Sequence, residues 1–148
     1  MSAEVHLRNQ RPRLREPGAS YFVTWCLAQG ASPLTAEERT VIADCLRYFD
    51  GNRYHLAAWV VMDDHVHVVV TPLQSHSLDS LLHSWRSYSA HRLVPLGRRT
   101  PVWRRDEHDR IVRLDAELAE KVRYVAENPW RRWPNAGPYP WVFPQPGS

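Results

Sequence analysis

Two runs of apolar and β-branched residues, 54–62 and 65–71, are separated only by Asp63-Asp64. Runs of that length and composition read as strands, and a two-residue polar connection leaves them little course but an antiparallel hairpin. Pro72 ends the second strand. Alternation along that strand sends Val66, Val68 and Val70 to one face and His65 and His67 to the other, with the two histidines about 6.6 to 7 Å apart along the chain. The rest of the fold must therefore cover an apolar face while two imidazoles share the opposite one.

The flanking sequence supplies partners for this hairpin. Residues 20–27, rich in Tyr, Phe, Val, Thr and Trp, read as an earlier strand. Thr35 and Glu38 have capping-box spacing, and Val41, Ile42, Cys45, Leu46 and Phe49 follow at helical intervals until Gly51. A second helix is expected from near Ser77, with Leu78, Leu81, Leu82, Trp85 and Tyr88 on its apolar face, ending before Pro95 and Gly97. The stretch 102–113 is expected to contain a fourth strand. Asp115 reads as the N-cap of a third helix that carries Leu118, Val122 and Val125 inward and stops at Asn128-Pro129.

The order strand, helix, strand, strand, helix, strand, helix predicts an α+β fold. It is a ferredoxin-like or RRM-like antiparallel sheet with helices on one face and an added C-terminal helix. Residues 1–133 form the expected domain, opened by a basic arm over 1–19, and the Pro- and Trp-rich tail 134–148 is expected to lack regular structure. No apolar run nears the roughly 20 residues of a membrane span, and no apolar segment follows Arg8, Arg11, Arg13 and Arg15. A cytoplasmic protein without a membrane partner is expected, with Cys26 and Cys45 as free thiols.

Fold alone does not decide function, because this sheet serves RNA-binding modules, regulators and nucleases alike. Two constellations carry chemistry. His65 and His67 can grip one divalent ion; an isolated H-x-H more often reads as two surface histidines, and placement at the opening of an apolar strand beside two aspartates favours the ion. On the third helix, counting about 100° per residue from Leu118, Tyr124 falls near 240°, Asn128 near 280° and Lys121 near 300°, so the three share one flank. They also read as a boundary tyrosine with a wet hydroxyl and a helix-capping asparagine.

Several ordered motifs resemble one family. Val60-Val61-Met62-Asp63-Asp64-His65-Val66-His67-Val68-Val69-Val70 is similar to the strand, turn and metal strand of the Y1-type HUH transposases. More closely, the chain resembles the REP-associated tyrosine transposases, which act on repetitive extragenic palindromes. The match continues through His83-Ser84-Trp85-Arg86-Ser87-Tyr88, from Gly97 to Trp103, through Asp109-Arg110-Ile111-Val112-Arg113, and through Arg123-Tyr124-Val125-Ala126-Glu127-Asn128-Pro129. It spans about residues 11–133. Asp63 stands where the family commonly has proline, and the tail beyond Trp133 follows no family pattern.

The resemblance implies that His65 and His67 bind Mg2+ or Mn2+, that Asn128 completes or orients that site, and that Tyr124 is the nucleophile. It implies attack on a single-stranded or hairpin DNA to give a 5′-phosphotyrosine and a free 3′-hydroxyl, by a monomer or homodimer. An ordinary tyrosine, with a pKa of about 10, needs help to ionise, and Lys121 is a candidate source of positive potential. The alternative is a non-catalytic nucleic-acid-binding module with structural histidines. A zinc hydrolase of the H-x-H-x-D-H kind is disfavoured, since Val69 and Val70 occupy the remaining ligand positions.

Composition adds a DNA path to these expectations. Of the 19 basic residues Lys121 alone is Lys, and there are 7 Trp. Residues 98–132 hold nine Arg and Lys121 against seven acids. Arg86, Arg98, Arg99, Arg104 and Arg105 are the expected phosphate contacts, Arg11 and Arg13 the reaching arm, and Trp103, Trp130 or Trp133 the stacking surfaces.

Overall fold

The computed structural model describes residues 14–147. Strand β1 covers Ser20–Leu27, helix α1 Ala36–Arg47, β2 Tyr54–Val61, β3 His65–Pro72 and α2 Leu78–Leu93. A 3-10 turn, Val94–Leu96, leads to β4 at Trp103–Val112, α3 at Asp115–Arg132 and the short β5 at Val142–Phe143. The five strands form one sheet in the order β4-β1-β3-β2-β5, with every pairing antiparallel. The expected ferredoxin-like α+β architecture is the one observed. Among the described residues no helix is long and apolar enough to cross a membrane.

Strand alternation divides the core in two. Tyr21, Val23, Trp25 and Leu27 of β1 and Val66, Val68 and Val70 of β3 point to the side covered by α1 and α2. Val69 of β3 and Ala58, Val60 and Met62 point to the other side, where Val125 of α3 and Tyr139 and Val142 of the tail bury them. A β-bulge between Leu56 and Ala58 makes this division possible. The extra residue reverses the alternation of β2, so Leu56 and Trp59 share one face while Ala58 and Val60 take the other.

Aromatic packing fills the larger half. Trp25 stacks on Trp85 at 5.9 Å between ring centroids, and Trp103 meets it edge-on at 6.2 Å. Three polar tips are satisfied inside the core: Trp85 Nε1 donates to Tyr54 Oη, Tyr54 donates to the Leu46 carbonyl, and Trp103 Nε1 donates to Ser89 Oγ, whereas Trp25 Nε1 is buried without a partner among the described residues. Ser89 is thus the inward residue of α2, and Tyr88, expected on its apolar face, is exposed.

Three further expectations change at element ends. Leu114, with no side-chain hydrogen bond, occupies the cap of α3, and Asp115 begins the helix. Pro129 does not stop that helix, which continues to Arg132. Proline removes a donor only at its own position, and the last turn is held from outside: Arg132 pairs with Asp63 at 3.2 Å, and Trp130 Nε1 donates to the Gly137 carbonyl at 2.8 Å. The tail is not wholly irregular either, since Val142 and Phe143 pair with β2, and Tyr139 donates to the Val61 carbonyl at 2.6 Å.

The β1–α1 connection is secured by the expected capping box of Thr35 and Glu38. Glu38 also ion-pairs with Arg98, whose remaining donors reach the carbonyls of Ser32 and Pro33; both charged side chains are 7% exposed. Burial pushes the Glu38 carboxyl up, but hydrogen bonds and charge from Arg98 and Thr35 outweigh it and hold it below its ordinary value. Its stabilising contribution is therefore complete above about pH 4.5 and is lost as the pH falls below that. Glu38→Ala, which leaves the guanidinium buried without a counter-ion, should cost about 3 kcal/mol or more in urea unfolding. Glu38→Leu combined with Arg98→Met should recover most of that loss.

Candidate active site

His65 and His67 stand on the α3 side of β3, and their Nε2 atoms converge to 3.1 Å. Each ring is held from behind. His67 Nδ1 lies 2.7 Å from Thr24 Oγ1, because the β1–β3 ladder sets Thr24 directly opposite His67. His65 Nδ1 lies 2.6 Å from Asp64 Oδ1, and Arg132 approaches the same oxygen at 3.8 Å. Burial pushes the Asp64 carboxyl up, yet the His65 hydrogen bond and the charges of His65 and Arg132 leave it below its ordinary value. An ionised Asp64 fixes the proton of His65 on Nδ1 and leaves the Nε2 lone pair facing His67.

His67 is 7% exposed. Burial, reinforced by the charge of His65, pushes its pKa down to about 3, so the ring stays neutral at physiological pH. Two lone pairs cannot meet at 3.1 Å, so one Nε2 must carry a proton where a cation would sit. With Nε2 protonated, His67 Nδ1 accepts from Thr24; with Nε2 free for a metal, Nδ1 donates to it. A hydroxyl can serve both arrangements. The converging nitrogens, tied outer nitrogens and neutral His67 fit a divalent ion. Among the described residues no three His, Cys, Asp or Glu side chains cluster as a metal-holding group.

Helix α3 brings Tyr124 to this pair. Its half-buried ring meets His67 edge-on at 5.6 Å and Phe22 at 6.0 Å, and Phe22 stacks on His67 at 5.4 Å. Asn128, buried, lies one turn further along the same flank. Lys121 sits over the Phe22 ring at 5.3 Å, and Arg131 lies 5.3 Å from the Tyr124 ring centroid.

The other expected contacts divide. Arg99, Arg104 and Arg105 are exposed at the end of the sheet near the β1–α1 connection. Arg98 is placed inside, with its donors taken by Glu38 and two carbonyls. Trp103 is a core residue, 6% exposed, and is unavailable for stacking on bases. Arg86 binds Glu107 and the carbonyls of Arg104 and Arg105, tying α2 to β4. Arg11 and Arg13 lie outside the described residues. Thr24, Phe22, Arg131 and Arg132 join the site although sequence reasoning did not select them. Register hides the first two, and the last two lie beyond a proline that looked like a helix stop.

An antiparallel ferredoxin-like sheet with this added helix is an architecture found in solved transposase structures. One is the REP-associated tyrosine transposase bound to a REP hairpin, with TM-score 0.75 and 18% identity over 88% of this chain and 79% of that one. Another is a candidate transposase from Deinococcus radiodurans R1, with TM-score 0.53 and 17% identity over 80% of this chain and 93% of that one. The likeness establishes a shared fold. No family model and no curated protein matches the sequence.

The neutral buried imidazole has a measurable consequence. Unfolding lets His67 regain its ordinary pKa of 6.5, so the unfolded chain takes up a proton that the folded one refuses. Stability should fall by about 1.4 kcal/mol between pH 7.5 and 5.5 through this group. Denaturant titration across that range checks it, and His67→Gln should flatten the dependence.

Proposed function

We propose that this chain is a DNA nicking and strand-transfer enzyme of the tyrosine transposase type, acting on single-stranded or hairpin DNA. The observation that carries the reading is Tyr124 packed on His67, whose Nε2 meets that of His65. A tyrosine, two converging imidazoles and a buried amide on one side of a sheet suit phosphoryl transfer. Such a set has no obvious use in a passive binding surface.

His65 and His67, with Asn128, would hold Mg2+ or Mn2+, and imidazole nitrogen favours the softer Mn2+. When bound, such an ion supplies Lewis-acid polarisation of a non-bridging phosphate oxygen. The Tyr124 oxygen forms a bond to phosphorus as the bond from phosphorus to the 3′-oxygen breaks. The phenolic proton leaves to solvent, and the departing 3′-oxygen takes one up. The product is a 5′-phosphotyrosine and a free 3′-hydroxyl, and attack by a 3′-hydroxyl reverses the step on the same or another strand. Arg131 places positive charge beside the nucleophile, and Lys121 adds to it from across Phe22. The fold's relative with a REP hairpin supports a hairpin as the substrate.

Incubation of the protein with an oligonucleotide hairpin and Mn2+ should give an adduct that survives denaturation. Tyr124→Phe should bind the same DNA and form none. Binding by the unaltered chain with no adduct would assign it to the non-catalytic class instead. Thr24→Val, which removes the support behind His67, should weaken Mn2+ binding by about 10- to 100-fold without unfolding the chain.

A further inference from the structure

Among the described residues β4 forms one edge of the sheet and pairs with β1. Its odd-numbered side chains face α2: Trp103 packs in the core there, while Glu107 pairs with Arg86 and Asp109 with Arg15. The ladder turns His108 and Arg110 to the side of the histidine pair, and alternation carries Asp106 and Arg104 to the same side across the irregularity that faces Trp25–Leu27. These four are exposed and form a row, with Arg104 3.6 Å from Asp106 and His108 Nε2 3.9 Å from Asp106. Arg110 pairs with Glu117 of α3 at 3.0 Å.

The ladder fixes where this row stands. Thr24 lies opposite His67 on one side and opposite His108 on the other. His108 is thus two strand spacings, roughly 10 Å, from His67 in the same transverse row. Phe22, which carries Lys121 over its ring and touches Tyr124, lies opposite Arg110. Helix α3 packs over β2, β3 and β5, and the exposed side chains of Arg104, Asp106, His108 and Arg110 form an open shelf beside it.

We infer that Arg104, His108 and Arg110 seat the single DNA strand that continues past the scissile phosphate, an inference that rests on the strand-transfer reading above. Two guanidinium groups and an imidazole offer phosphate donors along one line leading to the Tyr124 site. Alternate residues on a strand repeat every 6.6 to 6.8 Å or so, a step comparable with that between successive phosphates along one nucleic-acid backbone, so the row can follow a strand from phosphate to phosphate. Asp106 repels a phosphate at the middle of the row, so the contacts fall on Arg104 and on the His108 and Arg110 pair.

The test is the salt dependence of binding to a fluorescent hairpin oligonucleotide with a single-stranded extension. Arg104→Gln and Arg110→Gln should each lower the slope of log affinity against log salt by about 0.7. His108→Ala should weaken binding about tenfold, the loss of one hydrogen bond to a charged group. Arg92→Gln, an exposed arginine of α2 on the opposite side, should leave the slope unchanged. If Arg110→Gln melts early through loss of its Glu117 contact, Arg104→Gln decides. Unchanged slopes, with the Tyr124 adduct still formed by the unaltered chain, would overturn the seat and leave the strand-transfer reading standing. A chain that neither binds the oligonucleotide nor forms the adduct removes both.

Discussion

The pleat of β3 governs the molecule. This strand has a neighbour on each edge and packing on each face, so none of its side chains can change sides. Val66, Val68 and Val70 are locked against α1 and α2, which leaves His65 and His67 no direction but toward α3. A slip of one residue would drive two imidazoles into a core of valine and tryptophan while turning three valines toward the opposite side. The burial that stabilises the sheet thus also aims the candidate site. The supports behind the two rings come from the same pairing, since Thr24 is set by the β1–β3 register and Asp64 by the turn that joins β2 to β3.

The arginines serve two ends. Arg15, Arg86, Arg98 and Arg132 join parts of the chain distant in sequence, pairing with Asp79 and Asp109, Glu107, Glu38 and Asp63. Planar guanidinium groups suit such ties because one side chain can bind a carboxylate and a carbonyl together. Arg99, Arg104, Arg105 and Arg110 remain on the surface. Tryptophan divides similarly: Trp25, Trp85 and Trp103 build the larger core, while Trp130, Trp133 and Trp141 surround Tyr139 on the other side.

Local signals carried most of the fold. The Asp63-Asp64 turn, the Thr35 and Glu38 box and the alternation of 65–71 each depend on neighbours within a few residues, and the structure contains all three. The pairing of His65 with His67 and the shared flank of Tyr124 and Asn128 were legible for the same reason. What stayed hidden depends on contacts between distant segments. The bulge at Ala57 reverses a strand without a glycine to mark it, Arg98 looks like surface charge until Glu38 is folded beside it, and α3 outlasts Pro129 because residues 63 and 137 hold its last turn. Trp103 likewise lies among arginines in sequence, yet its neighbours in space are Trp25 and Ser89.

The tail gives α3 a second anchorage. Tyr139 bonds to β2, Val142 pairs beside it, Trp141 Nε1 donates to Thr40 of α1, and Trp130 holds Gly137. The helix is consequently clasped at its far end by a strap that crosses the sheet edge and reaches the opposite layer. None of the strap's residues touches His65 or His67, yet the strap braces the gap between tyrosine and histidines. Alignment between the two halves of the candidate site thus depends on residues 134–147, and substitutions there can shift Tyr124 against the histidines while all three side chains remain present.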